Sequence, residues 1–582
     1  MTPAPASDPV RDELHTFYDD SFAALLSTSP EVASEIGVDR IGRHRIPQHA
    51  FSDISAAGES RRRNLMSDTL RRLEALTATS TRFPREDLNR QIYEFFLRWG
   101  NFGRLRGTEG HGFDVCDSIA DHLCGVQTEL VTCLAQWQRL ETAEDADCFL
   151  SRVDAVPRQM DALIEGLRQR EAAGSVMPAC IVRRVVDELS QLLATPTEEQ
   201  PVYRRFLESG RTAAARSVAT SLNDGFLPAY RRLHDVLTTH YPREDRIGLC
   251  RLRDGEGYYR FLLKAHTTTE LSPAEIHALG MEELDRLQQT TSKKLRAAGY
   301  GNGSFSARFK AFNADERFDL AREGLGRNGL LQRVDTIIRE TAEQVRPLFG
   351  LWPKARVEVR AIPEVQEANR HMTYLPPTPD GVRPGTFEVN LAQLQVGNRL
   401  DLYTLAYHEA IPGHHLQLTI AQELGASLPS FRRVLVHDAY IEGWAKYAEV
   451  LPRLAAINMD PCWDIARSRQ ELYSTANLAL DTAIHAMGWT RDQGIAFFAD
   501  NTGCSREFAE TIVDRVIARP AQVCAYKIGM MTMLNARQRM ERALGERFDV
   551  RRFHDVILGQ GSLPLALLDR VVDEEIEGAR AC

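Results

Sequence analysis

Residues 408–415 read His-Glu-Ala-Ile-Pro-Gly-His-His, and the proline at 412 forbids the structure its neighbours otherwise invite, an unbroken helix. Proline has no amide hydrogen to return to residue 408, and its ring collides with the preceding turn. The glycine that follows tolerates backbone conformations other residues resist. The chain must therefore turn between Ala410 and Gly413 before it can resume a helix. The residue types here are those of a zinc site, in which His-Glu-x-x-His on one helix supplies two ligands and a general base. Pro412 occupies the place of the second histidine. On a regular helix His408 and His414 would lie ~9 Å apart along the axis and about 240° apart around it. His408 and His415 would share a face at a still greater separation. A bulge or loop at 410–413 is the way to return His414 to a shared metal.

A third donor follows in Tyr440-Ile-Glu-Gly-Trp-Ala-Lys-Tyr-Ala-Glu449. Glu442, delivered by a second helix, completes a three-ligand set that leaves a fourth position for water. Glu409, directly after His408, is placed to polarise that water as general base. Glu449 lies seven residues beyond Glu442 on the same helical face, about two turns away. It is expected behind the ligand or at the surface.

The rest of the chain supports a large folded body. Of its 582 residues 43% are hydrophobic and 26% charged, enough to bury a core and unlike a disordered chain. The length is compatible with several domains or with one or two large helical ones. The net charge is −9 with Lys and Arg scattered, so no nucleic-acid-binding stripe is expected. No stretch approaches the ~20 apolar residues of a membrane span, and Met1–Pro9 lacks the pattern of a secretion signal. The ten cysteines include no Cys-x-x-Cys pair, which points to reduced thiols in a cytoplasmic protein.

Helical periodicity runs through 11–29, 59–78, 127–144, 155–173, 180–196 and 211–239, defining an N-terminal helical region over 1–240. Residues 240–270, with Gly248, Gly255 and Gly257, read as an irregular link into a catalytic helical region over 241–582. Helices resume at 272–297, opened by Ser272-Pro273 as cap and first-turn proline, and at 314–348. The one β signal is 356–391. Arg356–Arg360 alternates, a Pro/Gly-rich loop follows (Pro376, Pro377, Pro379, Gly381, Pro384), and Thr386–Leu391 alternates again, as in a hairpin. Helices are expected from there to Gly559. The fold class is thus mainly α, with a small β-element beside the site.

The run Tyr407–Gln417, the Glu442-Gly-Trp-Ala segment, Asp481–Trp489, Pro520–Gly529 and Gly561–Leu565 together resemble the DUF885 family. The likeness is strong over the second half and rests on helical character in the first. It implies a zincin-like metallohydrolase, similar to the thimet-oligopeptidase-like and carboxypeptidase Taq-like enzymes. In those, Gly-His after the base corresponds to Gly413-His414, which favours His414 over His415 as ligand. The resemblance also implies that 386–391 is an edge strand on which an extended substrate pairs. Asn390 and the Arg383-Pro-Gly turn would then border the cleft, and Tyr526 would donate to the developing oxyanion. His485, four residues after Asp481 on one helical face, is the other candidate for that role. Arg515 and Arg519 could meet a substrate carboxylate. Lys446 and Met530 depart from the family pattern and suggest a changed pocket.

The expected activity is zinc-dependent cleavage of an amide bond in a short peptide or small peptide-like molecule, with Glu409 as base. Two histidines and one carboxylate also describe non-haem iron oxygenases, though an acid beside the ligand serves no purpose there. A non-catalytic binding protein is the third reading.

Overall fold

The computed structural model describes the chain except residues 1–8, 78–83, 114–117, 212–213, 363, 365–366, 368–371, 380, 382, 396, 426–427, 458–459 and 582. Met1–Asp8, Cys116 and Cys582 thus lie outside the described residues. The chain is mainly helical and divides into two compact units. One holds Met1–Phe261 with Pro429–Phe431, the other Leu262–Leu428 with Arg432–Cys582. The division falls inside the helix Gly255–Thr267 and not near residue 240.

Among the described residues the first unit is mainly helical, with two short antiparallel ribbons, Arg40–Ile41 with His44–Arg45 and Asn101–Phe102 with Leu105–Arg106. Its longest helix, Ala143–Ala172, begins where the Thr142 side chain accepts from the Asp145 amide and Asp145 returns the bond. Aromatic edges fill the core: Tyr18 and Tyr93 lie 5.1 and 4.6 Å, ring centre to ring centre, from Phe431. The fully buried Arg152 is held by the Ala50 carbonyl and the Ser34 hydroxyl.

The second unit carries the 408–449 segment, and its principal elements can be labelled in chain order. Helix α1 (Pro273–Ala297) starts at Ser272, whose hydroxyl accepts from the Glu275 amide while Glu275 bonds back. Strands β1 (Val357–Ala361), β2 (Thr373–Leu375) and β3 (Gly385–Val389) make one sheet in the order β1-β3-β2. Then come α2 (Asp401–Glu409), α3 (His414–Glu423), α4 (Asp438–Leu454), α5 (Pro461–His485), α6 (Arg506–Ala518) and α7 (Cys524–Leu544). Helix α1 lies along α5, and Gly280 permits the approach: a Cβ there would sit 2.8 Å from the Ala479 nitrogen.

Several expectations change. The two alternating segments do not form a hairpin. β1 pairs with β3 in parallel, Val357 opposite Gly385 through Ala361 opposite Val389, and β2 pairs antiparallel on the other side of β3. β3 is therefore the central, largely buried strand, with both backbone edges in use, and cannot serve as the edge strand for a substrate. The stretch 240–270 contains the helix Gly255–Thr267, whose glycines masked its periodicity. The helix expected from 314 begins at Arg327, after short turns over Glu316–Phe318 and Leu320–Glu323. The helical run also continues past Gly559, through Leu565–Ala581.

One buried histidine of this unit sets a pH dependence. His554 donates from Nδ1 to the Leu348 carbonyl (2.8 Å) and accepts at Nε2 from the Tyr447 hydroxyl (2.8 Å), which fixes a neutral ring. Burial pushes its pKa down to about 3. An unfolded chain protonates the same ring at about 6.5, so the unfolded state takes up the proton first. Stability is thus full above about pH 6.5 and falls on acidification toward pH 3, by up to about 1.4 kcal/mol per pH unit. Urea unfolding at stepped pH measures this. The slope over that window should be shallower in His554→Gln than in the wild type.

Candidate metal centre

The turn demanded by Pro412 lies between α2 and α3. Helix α2 ends at Glu409, Ala410 leaves helical geometry (φ −111°, ψ −101°), and α3 starts after Gly413 (φ −83°, ψ −129°). Space at Gly413 admits nothing larger: a Cβ there would lie 1.9 Å from the His408 carbonyl oxygen and 2.3 Å from that of Tyr407. The indole of Trp444 on α4 donates to the Pro412 carbonyl (2.9 Å), tying the turn to the helix that carries Glu442.

The result is convergence. The His408 and His414 rings stand 4.8 Å apart and nearly perpendicular. Their Nε2 atoms are 3.6 and 3.5 Å from Glu442 Oε2. One donor atom from each residue lies within 4.8 Å of the other two. Glu442 Oε2 is buried without a hydrogen-bond partner, an expensive state unless a cation or donor meets it. Burial opposes charge on Glu442, yet the two imidazoles hold its carboxyl well below the usual range. Burial lowers the His408 pKa, but the nearby Glu442 and Glu449 carboxylates outweigh it and lift the pKa to about 9. Two nitrogens and one carboxylate oxygen are a zinc-type donor set, so the residues present fit that ion.

Behind His408 stands a second carboxylate. His408 donates from Nδ1 to Glu449 Oε1 (2.9 Å), which leaves Nε2 for the cluster, and the buried Lys446 amine donates to the same oxygen (2.8 Å). Glu449, at 2% exposure, is no surface acid. Lys446 is the counter-charge that lets this carboxylate remain ionised in the interior: burial raises the Glu449 pKa, and Lys446 and His408 bring it below the ordinary value. Carboxylates behind a ligating imidazole fix its orientation and basicity. Glu449→Gln should weaken zinc binding by about 10–100-fold in chelator competition, with the far-ultraviolet circular dichroism spectrum unchanged.

Glu409 and Tyr526 are half-buried beside the cluster. The Glu409 carboxyl is pushed upward by burial, offset in part by the two imidazoles. The Tyr526 ring, on α7, stacks toward His408 at 6.5 Å between centres, tilted by 14°. Burial and then the Glu442 charge raise its phenol to about 12, so it is a donor at neutral pH. Helices α4 and α7 can hold Glu442 and Tyr526 this close because Gly443 and Gly529 meet backbone to backbone. A Cβ on Gly529 would lie 1.9 Å from the Ala439 carbonyl and 2.7 Å from Gly443 Cα. Arg515 donates to the Tyr526 hydroxyl and to Gln522 Oε1, each at 3.0 Å.

Other expected site residues stand elsewhere. His415 is 1% exposed, donates from Nε2 to the Ala355 carbonyl (3.1 Å) and accepts from the Tyr374 hydroxyl (2.8 Å). His485 donates to the Val516 carbonyl (3.0 Å) and does not belong to the gathered donor set, while Asp481 receives the Ala521 amide. Together they hold the end of α6 and the segment after it against α5. Asn390, with no exposure, caps the short helix Leu391–Gln395 by accepting the Gln393 amide (3.0 Å) and donates to the Glu367 carbonyl (2.6 Å). Its side chain is spent on structure and does not border a cleft. Arg383 closes its own turn, its amide bonded to Thr378 Oγ1 (2.9 Å) and its guanidinium to the Pro376 carbonyl (3.4 Å). The sequence does not single out Gln522; of the two places expected for Glu449 the structure has the one behind His408, and Lys446, expected only as a departure from the family pattern, is its partner.

A mainly helical unit that folds a broken His-Glu helix against a glutamate-bearing helix is the class of architecture the coordinates define. The chain belongs to DUF885, a family described as bacterial protein of unknown function, whose model matches residues 30–572. The crystal structure of a candidate lipoprotein from Colwellia psychrerythraea shares the fold, with a TM-score of 0.89 and 24% identity over 98% of this chain and 99% of that one. A candidate lipoprotein of unknown function from Shewanella oneidensis is also similar, with a TM-score of 0.65 and 19% identity over 95% and 98%. No curated protein matches the chain. Among the described residues, no helix is long and apolar enough to cross a membrane.

Proposed function

We propose that this protein is a zinc-dependent hydrolase of the zincin type, cleaving an amide bond in a short peptide or peptide-like small molecule. The observation that carries the reading is the gathering of His408, His414 and Glu442 donor atoms within 4.8 Å, with Glu409 adjacent to the first ligand. Zinc held by these three residues would supply a Lewis acid at an open coordination position and make a water acidic near neutral pH.

The chain's own groups account for the remainder. Glu409 would take the proton of the attacking water and later deliver it to the leaving amine, and its upward-shifted carboxyl suits that exchange. Tyr526 keeps its proton at neutral pH and can donate a hydrogen bond to the oxygen on which charge develops. Glu449, charged against Lys446, holds His408 with Nε2 forward.

The test is metal analysis of the purified protein together with mass-spectrometric screening of short peptides and N-acyl amino acids. Chelation should abolish turnover and one equivalent of zinc should restore it. Stoichiometric iron with consumption of oxygen would overturn the hydrolase reading in favour of an oxygenase.

A further inference from the structure

Among the described residues of the second unit, buried and half-buried arginines commonly face a carboxylate. Arg467 meets Glu471 at 2.9 Å, Arg491 meets Asp514 at 2.7 Å and Arg327 meets Glu367 at 2.8 Å. Arg515 does not. Its hydrogen bonds run from Nη2 to two neutral oxygens, Gln522 Oε1 and the Tyr526 hydroxyl, and no acidic group among the described residues lies within ion-pair distance. Nε and Nη1 have no hydrogen-bond partner among the described residues, and the side chain is half-exposed. Gln522, 5% exposed, and the Tyr526 ring, 5.8 Å beneath the guanidinium carbon, hold the charge in one place.

That place adjoins the metal cluster. The guanidinium carbon lies 5.8 Å from the Tyr526 ring centre, and that centre lies 6.5 Å from the His408 ring centre, so charge and cluster are at most about 12 Å apart. One or two residues of extended chain, at about 3.3–3.6 Å each, together with the ligating and hydrogen bonds at either end, span such a gap. The guanidinium keeps its Nε and Nη1 hydrogens, each able to give a carboxylate one charge-assisted bond.

We propose that Arg515 anchors a free carboxylate of the substrate, so that this centre acts on peptides or N-acyl amino acids with an unblocked carboxyl end one or two residues beyond the scissile amide. The proposal rests on the hydrolase reading above. Arg515 is then a specificity-determining residue, and the same bond that fixes it also steadies the Tyr526 hydroxyl.

The experiment uses matched pairs of ligands, each dipeptide, tripeptide or N-acyl amino acid supplied as free acid and as carboxamide. These are titrated by calorimetry into the zinc-loaded Glu409→Gln protein. Free acids should bind at least about tenfold tighter than their amides, about one tenfold step for one charge-assisted contact. Arg515→Met in that background should erase the preference and Arg515→Lys should keep part of it, with thermal melting checking that each variant folds. Equal binding of acids and amides by the parent protein, which needs no further variant, overturns the anchor. So does binding of neither, or an equal loss for both in Arg515→Met. Wild-type turnover of the same panel reports separately on the reaction. Preference without cleavage sinks the hydrolase, and cleavage without preference sinks the anchor.

Discussion

Glu409→Gln is expected to bind zinc as the wild type does and to turn over substrate at least about 10³-fold more slowly, within the range lost when a positioned general base is removed. Glutamine preserves the volume of the side chain and its place beside His408, but it cannot accept a proton. The three donor atoms belong to other residues, so metal content by atomic emission should stay at one equivalent. Burial favours the neutral form of this carboxyl, which the neutral amide mimics, so the variant should fold at least as well. Single-turnover peptide cleavage is the measurement. Turnover at the wild-type rate with metal in place would remove Glu409 from the mechanism.

The second large effect is structural. Gly413→Ala places a Cβ where the His408 and Tyr407 carbonyls already stand, 1.9 and 2.3 Å away. Both neighbours are backbone of the helix end that carries His408, so relief must come from moving that helix end. Overpacking of this sort costs about 1–3 kcal/mol or more. The displacement also separates His408 from His414, so zinc affinity should fall by more than the 10–100-fold typical of losing a supporting contact. Chelator competition with the refolded variant, alongside denaturant unfolding, separates the two losses. Wild-type affinity at reduced stability would show that the turn is not what sets the ligand distance.

The parts of this site legible in the sequence are those governed by local rules. Pro412-Gly413 cannot be helical, and that alone predicts the turn at 410–413 on which the meeting of His408 and His414 depends. The helix Pro273–Ala297 follows in the same way from a cap and a first-turn proline. Pairing and partnership are different. Alternation in 356–360 and 386–391 identifies strands and their faces but not their partners, and a parallel pair was read as a hairpin. Asn390 reads as a cleft residue because the resemblance implies an edge strand over 386–391, and the helix it caps is only five residues long and leaves no periodic signal to oppose that. Lys446 looked anomalous on a buried face until Glu449 and His408 stood beside it, and that neighbourhood exists only after α2 and α4 meet.

The contact of Gly443 with Gly529 has a mechanical meaning. Side chains between two helices act as a compliant layer that can shear by rotamer changes, and here that layer is missing. Glu442 stands one residue before one contact point and Tyr526 three residues before the other, so the acid and the phenol behave as two jaws riveted at a common joint. Their gap is a manufactured dimension of the protein. Adaptation to a ligand must therefore come from the ligand itself or from the walls beyond the joint.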